Sequence, residues 1–219
     1  MPRPPGHGPA YEVKRQEIID TAAELFARKG YSATGIVELG DKVGLAKGAL
    51  YYYIGSKENL LVEIQERVLN PLIDAAARIS EYDAPALVKL RLLSGELLSM
   101  IFARLDHIWV YEHDYRQLTG KNRTRMLERR QTFEGVVRAL LTAAMDEGSI
   151  RGSDPTLATL QFLNLHNHTY QWVKPGQKWD AEFLSATYCA TLFGGFAGGT
   201  CDLAAVEAGV AAYRTAPAA

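Results

Sequence analysis

Cysteine is nearly missing from this chain: Cys189 and Cys201 are the only two in 219 residues. Two thiols make no disulfide scaffold, and their spacing fits no metal-ligand pattern, so both are expected reduced and buried in a cytoplasmic protein. Long apolar runs are lacking too. None approaches the roughly 18 residues of a membrane span, and the opening MPRPPGHGPA has no apolar signal core. Nor is there an excess of either charge: 24 Lys and Arg against 25 Asp and Glu leave a net charge of −1. This excludes a histone-like polyanion binder but not a protein with a local basic face for DNA. The chain also lacks a Walker loop, G-x-S-x-G, HExxH and a strand-borne G-x-G-x-x-G. No cofactor, metal ligand or catalytic residue is therefore assigned. Among the histidines, His166 and His168 are two apart and point to different faces of a helix.

What is present is helical periodicity from end to end, with no alternating strand pattern. The chain reads as all-α, with nine or ten helices. Its most informative stretch runs from Thr34 to Leu60. Leu39, Val43, Leu45 and Leu50 are spaced so that two short helices crossing steeply share a small core. Gly40 falls at their closest approach and Gly44 in the turn, where a positive φ suits a residue without Cβ. This is a helix-turn-helix pattern, with Lys47–Tyr53 as the recognition helix for the major groove. Its outward residues are Lys47, Gly48, Tyr51 and Tyr52: a phosphate-binding charge, a close backbone approach and two phenols. Ala46 offers no side-chain cap. Thr34 is expected to cap the preceding helix and Ser56 the following one, with Lys57 beside it placed for a phosphate.

The remaining helices follow in order. The first spans about Tyr11 to Lys29, carries the stripe Ile18, Ala22, Leu25 and Phe26, and ends at Gly30. The fourth continues to about Ile79 with a kink expected at Pro71. Helix five covers Pro85–Ala103 and helix six Leu105–Leu118, broken by Gly120. Helix seven covers Arg123–Glu147, and helix eight, capped by Asp154 with Pro155 at its first position, runs to Val173. Helix nine runs from Asp180 to Gly194-Gly195, and a last one from Asp202 to Tyr213. The glycine-rich run 194–199 reads as a helix end allowing close helix contact. Lys121, Arg123, Arg125, Arg129 and Arg130 open helix seven against its dipole. They form either a solvated face or a seat for a phosphate-bearing ligand.

Helix eight holds a polar anomaly. On a continuous helix Asn164, Asn167, His168 and Gln171 share one narrow sector, flanked by Leu157 and Leu160. Such a stripe needs water, a ligand or a partner subunit. A ligand pocket and a wet dimer seam both satisfy it. Trp109, Tyr111, His113 and Arg116 on helix six supply a second candidate wall, or ordinary core.

The helix-turn-helix resembles that of the TetR family of transcriptional repressors. The resemblance rests on Phe26, Gly30-Tyr31, Thr34, Val43-Gly44-Leu45, Lys47-Gly48, Leu50-Tyr51-Tyr52, Ser56-Lys57-Glu58 and Leu60. The chain departs from the family at Gly40, Ala46 and Tyr53-Ile54, where Ala, Ser or Thr, and His-Phe are usual. Residues 1–10, rich in Pro and Gly, read as a flexible arm and 214–219 as an Ala/Pro tail, and the resemblance implies a DNA-binding domain (11–56) and a helical ligand-binding and dimerisation domain (57–213). It implies a homodimer through the last two long helices, binding a palindromic double-stranded DNA operator and released by a small hydrophobic effector. Thr34, Lys47, Gly48, Tyr51, Tyr52 and Lys57 would meet DNA. Trp109, Tyr111, His113, Asn164, Asn167, His168 and Gln171 are the expected effector contacts. Val110-Tyr111, Arg116-Gln117-Leu118, Trp172, Lys174-Pro175-Gly176 and Leu192-Phe193-Gly194-Gly195 look like a subgroup answering to acyl-CoA thioesters. The chain is thus read as a regulator and not an enzyme. Two alternatives stand beside this: an enzyme with His113 or His168 as general base, and a DNA-binding protein without a ligand.

Overall fold

A computed structural model describes residues 8–151, 154–174, 176–198 and 202–215. Within them lie ten α-helices and no strand: α1 (Pro9–Lys29), α2 (Ile36–Val43), α3 (Lys47–Ile54), α4 (Lys57–Glu81), α5 (Ala86–Ala103), α6 (Leu105–His113), α7 (Gly120–Asp146), α8 (Pro155–Asn167), α9 (Ala181–Ala197) and α10 (Leu203–Thr215). Single 3-10 segments follow α6 (Asp114–Gln117) and α8 (His168–Gln171). The expectations for most of the N-terminal arm, the end of the tail, Pro175 and Cys201 fall outside the described residues.

The helices form two compact units, residues 1–69 with 104–128, and 70–103 with 129–219. In the first, the apolar stripe of α1 packs on α2 and α6. Ile18, Ile19, Ala22, Leu25 and Phe26, with Leu39, Val43, Leu50 and Leu61, are buried in this unit, where each large side chain stabilises by about 1.5–3 kcal/mol. The turn between α2 and α3 is built on its glycines. Gly44 adopts φ 68° and caps α2 in the left-handed conformation. A Cβ on Gly40 would stand 2.6 Å from the Leu45 carbonyl oxygen. The Leu45 N–H donates to the Gly40 carbonyl at 2.8 Å, closing the turn. Ser56 caps α4 by accepting from the Asn59 N–H at 3.0 Å.

In the second unit α5 is buried nearly all round, and α8, α9 and α10 pack against it. Such a helix needs apolar residues on every face, and Leu87, Leu90, Leu93, Leu97, Leu98 and Ile101 supply them. Asp154 caps α8 by accepting from the Thr156 and Leu157 N–H groups at 2.8 and 3.0 Å. Asp180 caps α9 through Phe183 at 2.8 Å.

Several sequence expectations need correction. Thr34 does not cap α2. Gly35 stands at that position with no side-chain cap, while Thr34 is buried and its hydroxyl donates to the Gly30 carbonyl at 2.9 Å. Gly120 opens α7 instead of breaking a helix before it. Its added turn lets Glu58 cap α7, accepting from the Thr119 N–H and hydroxyl and from Asn122. That carboxylate, with Glu66 on Arg125, offsets the basic run. Gly194 and Gly195 lie inside α9, which ends at Gly198. Most consequential, α8 stops at Asn167. The tighter 3-10 winding beyond it, about three residues per turn, turns Gln171 relative to Asn164, yet Asn164, His168 and Gln171 all stay exposed.

Candidate functional site

The helix-turn-helix presents α3 to solvent. Only Leu50 and Ile54 of its eight residues are buried. Lys47, Gly48, Tyr51 and Tyr52 are exposed, Tyr52 by 61%. A Cβ on Gly48 would have nothing within 4 Å, so another molecule can approach the backbone there. At the N-cap Ala46 is extended and offers no side-chain acceptor. The first N–H groups of α3 thus carry their partial positive charge toward solvent beside Lys47.

Lys57 is half-buried where the sequence places a phosphate ligand. Its ammonium donates to the Tyr31 carbonyl and sits 4.2 Å from the centre of the Tyr31 ring. Burial pushes its pKa below the ordinary value, and the Asp114 carboxylate partly opposes that. Lys57 is therefore a clasp within the first unit, with N–H capacity to spare for a phosphate. Thr34 has no such capacity: its hydroxyl is committed to Gly30 and buried.

The residues expected to meet an effector fall into both units. In the first, Tyr111 is buried in α6, while Trp109 is 38% exposed and stacks on the exposed His113 ring at 4.0 Å. His113 Nδ1 pairs with the Trp109 carbonyl at 2.9 Å. In the second unit Asn164, His168 and Gln171 are exposed and Asn167 half-buried. Two surface grooves there hold about 680 and 570 Å³. Gly135, Arg138, Thr142 and Asp154 line the larger; Leu157, Gln161, Leu192 and Phe196 line the smaller. Neither takes in any of the four.

Sequence reasoning missed a buried polar relay in the core of the second unit. Arg91 on α5 is fully buried. Its guanidinium donates to Glu207 on α10 at 2.7 Å, to Ser185 on α9 at 2.7 Å and to Glu182 at 2.6 Å. Burial works against this charge, yet the two carboxylates outweigh it and hold the pKa above its usual value. The Ser185 hydroxyl donates to Ser94 at 2.8 Å, and Ser94 pairs with His166 Nε2 at 2.6 Å. His166 Nδ1 lies 2.7 Å from the Phe162 carbonyl. Burial brings the His166 pKa down to about 4 and the neighbouring Cys189 thiol up to about 12. The one sequence signal was Arg91 itself, a cation set between leucines in the largely apolar run LVKLRLLSGELL.

Among the described residues no helix is long and apolar enough to cross a membrane. The profile of bacterial regulatory proteins of the tetR family matches residues 18–64, and that of the tetracyclin repressor-like C-terminal domain matches 83–196, more than half of the chain. The chain is 25% identical to the HTH-type transcriptional repressor KstR2 of Rhodococcus jostii over 186 residues, 84% of this chain and 91% of the relative. It is 26% identical to the fatty acid metabolism regulator protein of Bacillus subtilis over 184 residues, 83% and 95% of the two chains. In fold it resembles AibR, solved with isovaleryl coenzyme A and operator DNA, with a TM-score of 0.74 at 24% identity, covering 82% of this chain and 98% of AibR.

Proposed function

Because the chain belongs to the TetR family of bacterial transcriptional regulators, we propose that it is a homodimeric repressor that an acyl-CoA thioester releases from a palindromic operator. The observation that carries this is the solvent-open face of α3, with an uncapped N-terminus and Lys47, Gly48, Tyr51 and Tyr52 outward. Each subunit lays α3 in a major groove, on half-sites about one helical turn or roughly 34–36 Å apart. Tyr51, Tyr52 and Lys57 contact the backbone and set register, while Lys47 and the backbone at Gly48 lie nearest the bases. Thr34 is left out of this set. Residues 11–56 act as the reading domain and 57–213 as the effector and dimerisation domain.

The effector class is supported by AibR, which binds isovaleryl coenzyme A, and by the fatty acid regulator among the relatives. The solvent exposure of Asn164, His168 and Gln171 favours assigning the α8 stripe to the seam between two copies, beside exposed Leu157 and Leu160. Trp109, Tyr111 and His113 stay as candidate effector contacts.

The test selects a duplex from a random-sequence pool with the purified protein, then titrates acyl-CoAs of increasing chain length against the complex. Release is expected with a CoA thioester at concentrations where the matching free acid does nothing, accompanied by a thermal shift. If no acyl-CoA shifts the melting temperature or displaces the duplex, the effector assignment is wrong.

A further inference from the structure

The first turns of α1 carry two side chains on one face that reach both helices of the helix-turn-helix. Lys14 Nζ donates to the Val43 carbonyl at 2.7 Å, at the C-terminal end of α2. One turn earlier Tyr11 reaches α3. Its ring stacks on Tyr53 with centroids 4.8 Å apart and planes at 18°. It meets Tyr52 edge-on at 5.7 Å and 85°, and Tyr52 meets Tyr53 at 5.5 Å and 82°. The three phenols close a ring of contacts, each in a geometry that aromatic quadrupoles favour.

Helix α3 needs this support. It has eight residues, no N-cap side chain and two buried anchors, Leu50 and Ile54. Both anchors lie on its inner face, so they restrain the roll of the last turn, which carries the exposed Tyr52, from that side only. The Tyr11 ring blocks that roll from outside while leaving Tyr52 open to solvent.

We propose that Tyr11 is a positioning residue for sequence discrimination: it fixes the roll of α3, and so the aim of Tyr52, without touching the bases. The inference rests on the reading of α3 as the DNA-contacting helix. A tilted α3 still offers Lys47 to any phosphate, so non-specific binding survives the loss of the ring, whereas contacts that demand one register do not.

The experiment uses the full-length protein, the duplex that the parent selects from a random-sequence pool, and a scrambled duplex of equal length. Tyr11→Leu is expected to weaken binding to the selected duplex roughly tenfold and to the scrambled one by less than about twofold. Tyr11→Phe, which keeps the ring, should bind like the parent. Tyr53→Leu removes the same stack from the other side and should repeat the loss, which covers the case that Tyr11→Leu does not fold. In a Tyr52→Ala background the Tyr11→Leu effect should largely vanish, as coupling requires. Parent-like discrimination in both Leu variants overturns the inference, and so does an equal loss on both duplexes. A Tyr11→Phe as impaired as Tyr11→Leu overturns it too, because the hydroxyl would then be the active part. If the parent selects no duplex, the DNA-reading proposal fails and takes this inference with it.

Discussion

The Lys57 ammonium has three N–H groups, and the Tyr31 carbonyl occupies one of them beneath an aromatic face. Two functions therefore meet at one side chain, and a single substitution separates them. Lys57→Met is expected to lower the stability of the first unit by about 1–2 kcal/mol, from one charged hydrogen bond and a cation–π contact. It should also reduce the salt slope of DNA binding by about one unit per subunit. Denaturant unfolding and a salt series check the two halves separately. A flattened slope at parent stability would leave Lys57 a phosphate ligand and nothing more. His166 makes a different prediction. Its folded pKa of about 4 lies below the ordinary 6.5, so between these values the unfolded chain binds a proton that the folded unit does not. Stability is then complete above about pH 6.5 and falls as the pH drops toward 4, by on the order of 3 kcal/mol from this group. His107 in the first unit is displaced to about 4 by burial as well, so the comparison must be with His166→Gln. Urea midpoints of that variant should decline less steeply over the window. Parallel curves would place the acid sensitivity elsewhere.

Among the elements, α3 is the one whose own sequence supports it least. Ala46 already has the extended backbone that an N-cap requires, φ −61° and ψ 150°, but no oxygen to offer. Ala46→Ser should therefore add about 1 kcal/mol and raise the melting temperature by a few degrees. Calorimetry decides it, and no gain would mean that the first N–H groups are satisfied in another way. This helix also shows why some elements can be read from sequence and others cannot. The turn into α3 depends on local facts, a glycine in the left-handed region at 44 and apolar residues at 39, 43 and 50, and local facts are written in order along the chain. The α8 stripe assumed that one pitch persists through His168. Nothing nearby announces the change to 3-10 winding, and the wheel could not tell that Asn164, His168 and Gln171 would face solvent. The Arg91–Ser185–Ser94–His166 relay lay further out of reach. Its successive links join residues 72 to 94 apart in the chain, and serines at such distances carry no pattern. The fold class and the reading helix were thus legible, while the polar interior of the second unit was not.

At the scale of the whole molecule, the two units are interleaved: residues 104–128 return to the first after 70–103 have entered the second. The second also leaves large apolar side chains uncovered along α8, α9 and the segment between them, among them Leu157, Leu160, Trp179 and Phe183. If a second copy covers them, Leu160→Glu with Phe183→Glu should sediment at one chain's mass, 24.2 kDa, and lose tight binding to a duplex carrying two half-sites. The circular dichroism should remain helical. A double variant that still sediments as a dimer moves the seam elsewhere. Cys189 adds a use for the interior that no partner is needed to see. Burial pushes its thiol up to about 12, so the reactive thiolate is scarce at pH 7, and the residue is only 1% exposed. In a Cys201→Ser background, labelling by an aromatic disulfide must then wait for the second unit to open. The rate of colour release becomes a native clock of that opening, running slower whenever something bound inside holds α5 and α9 together.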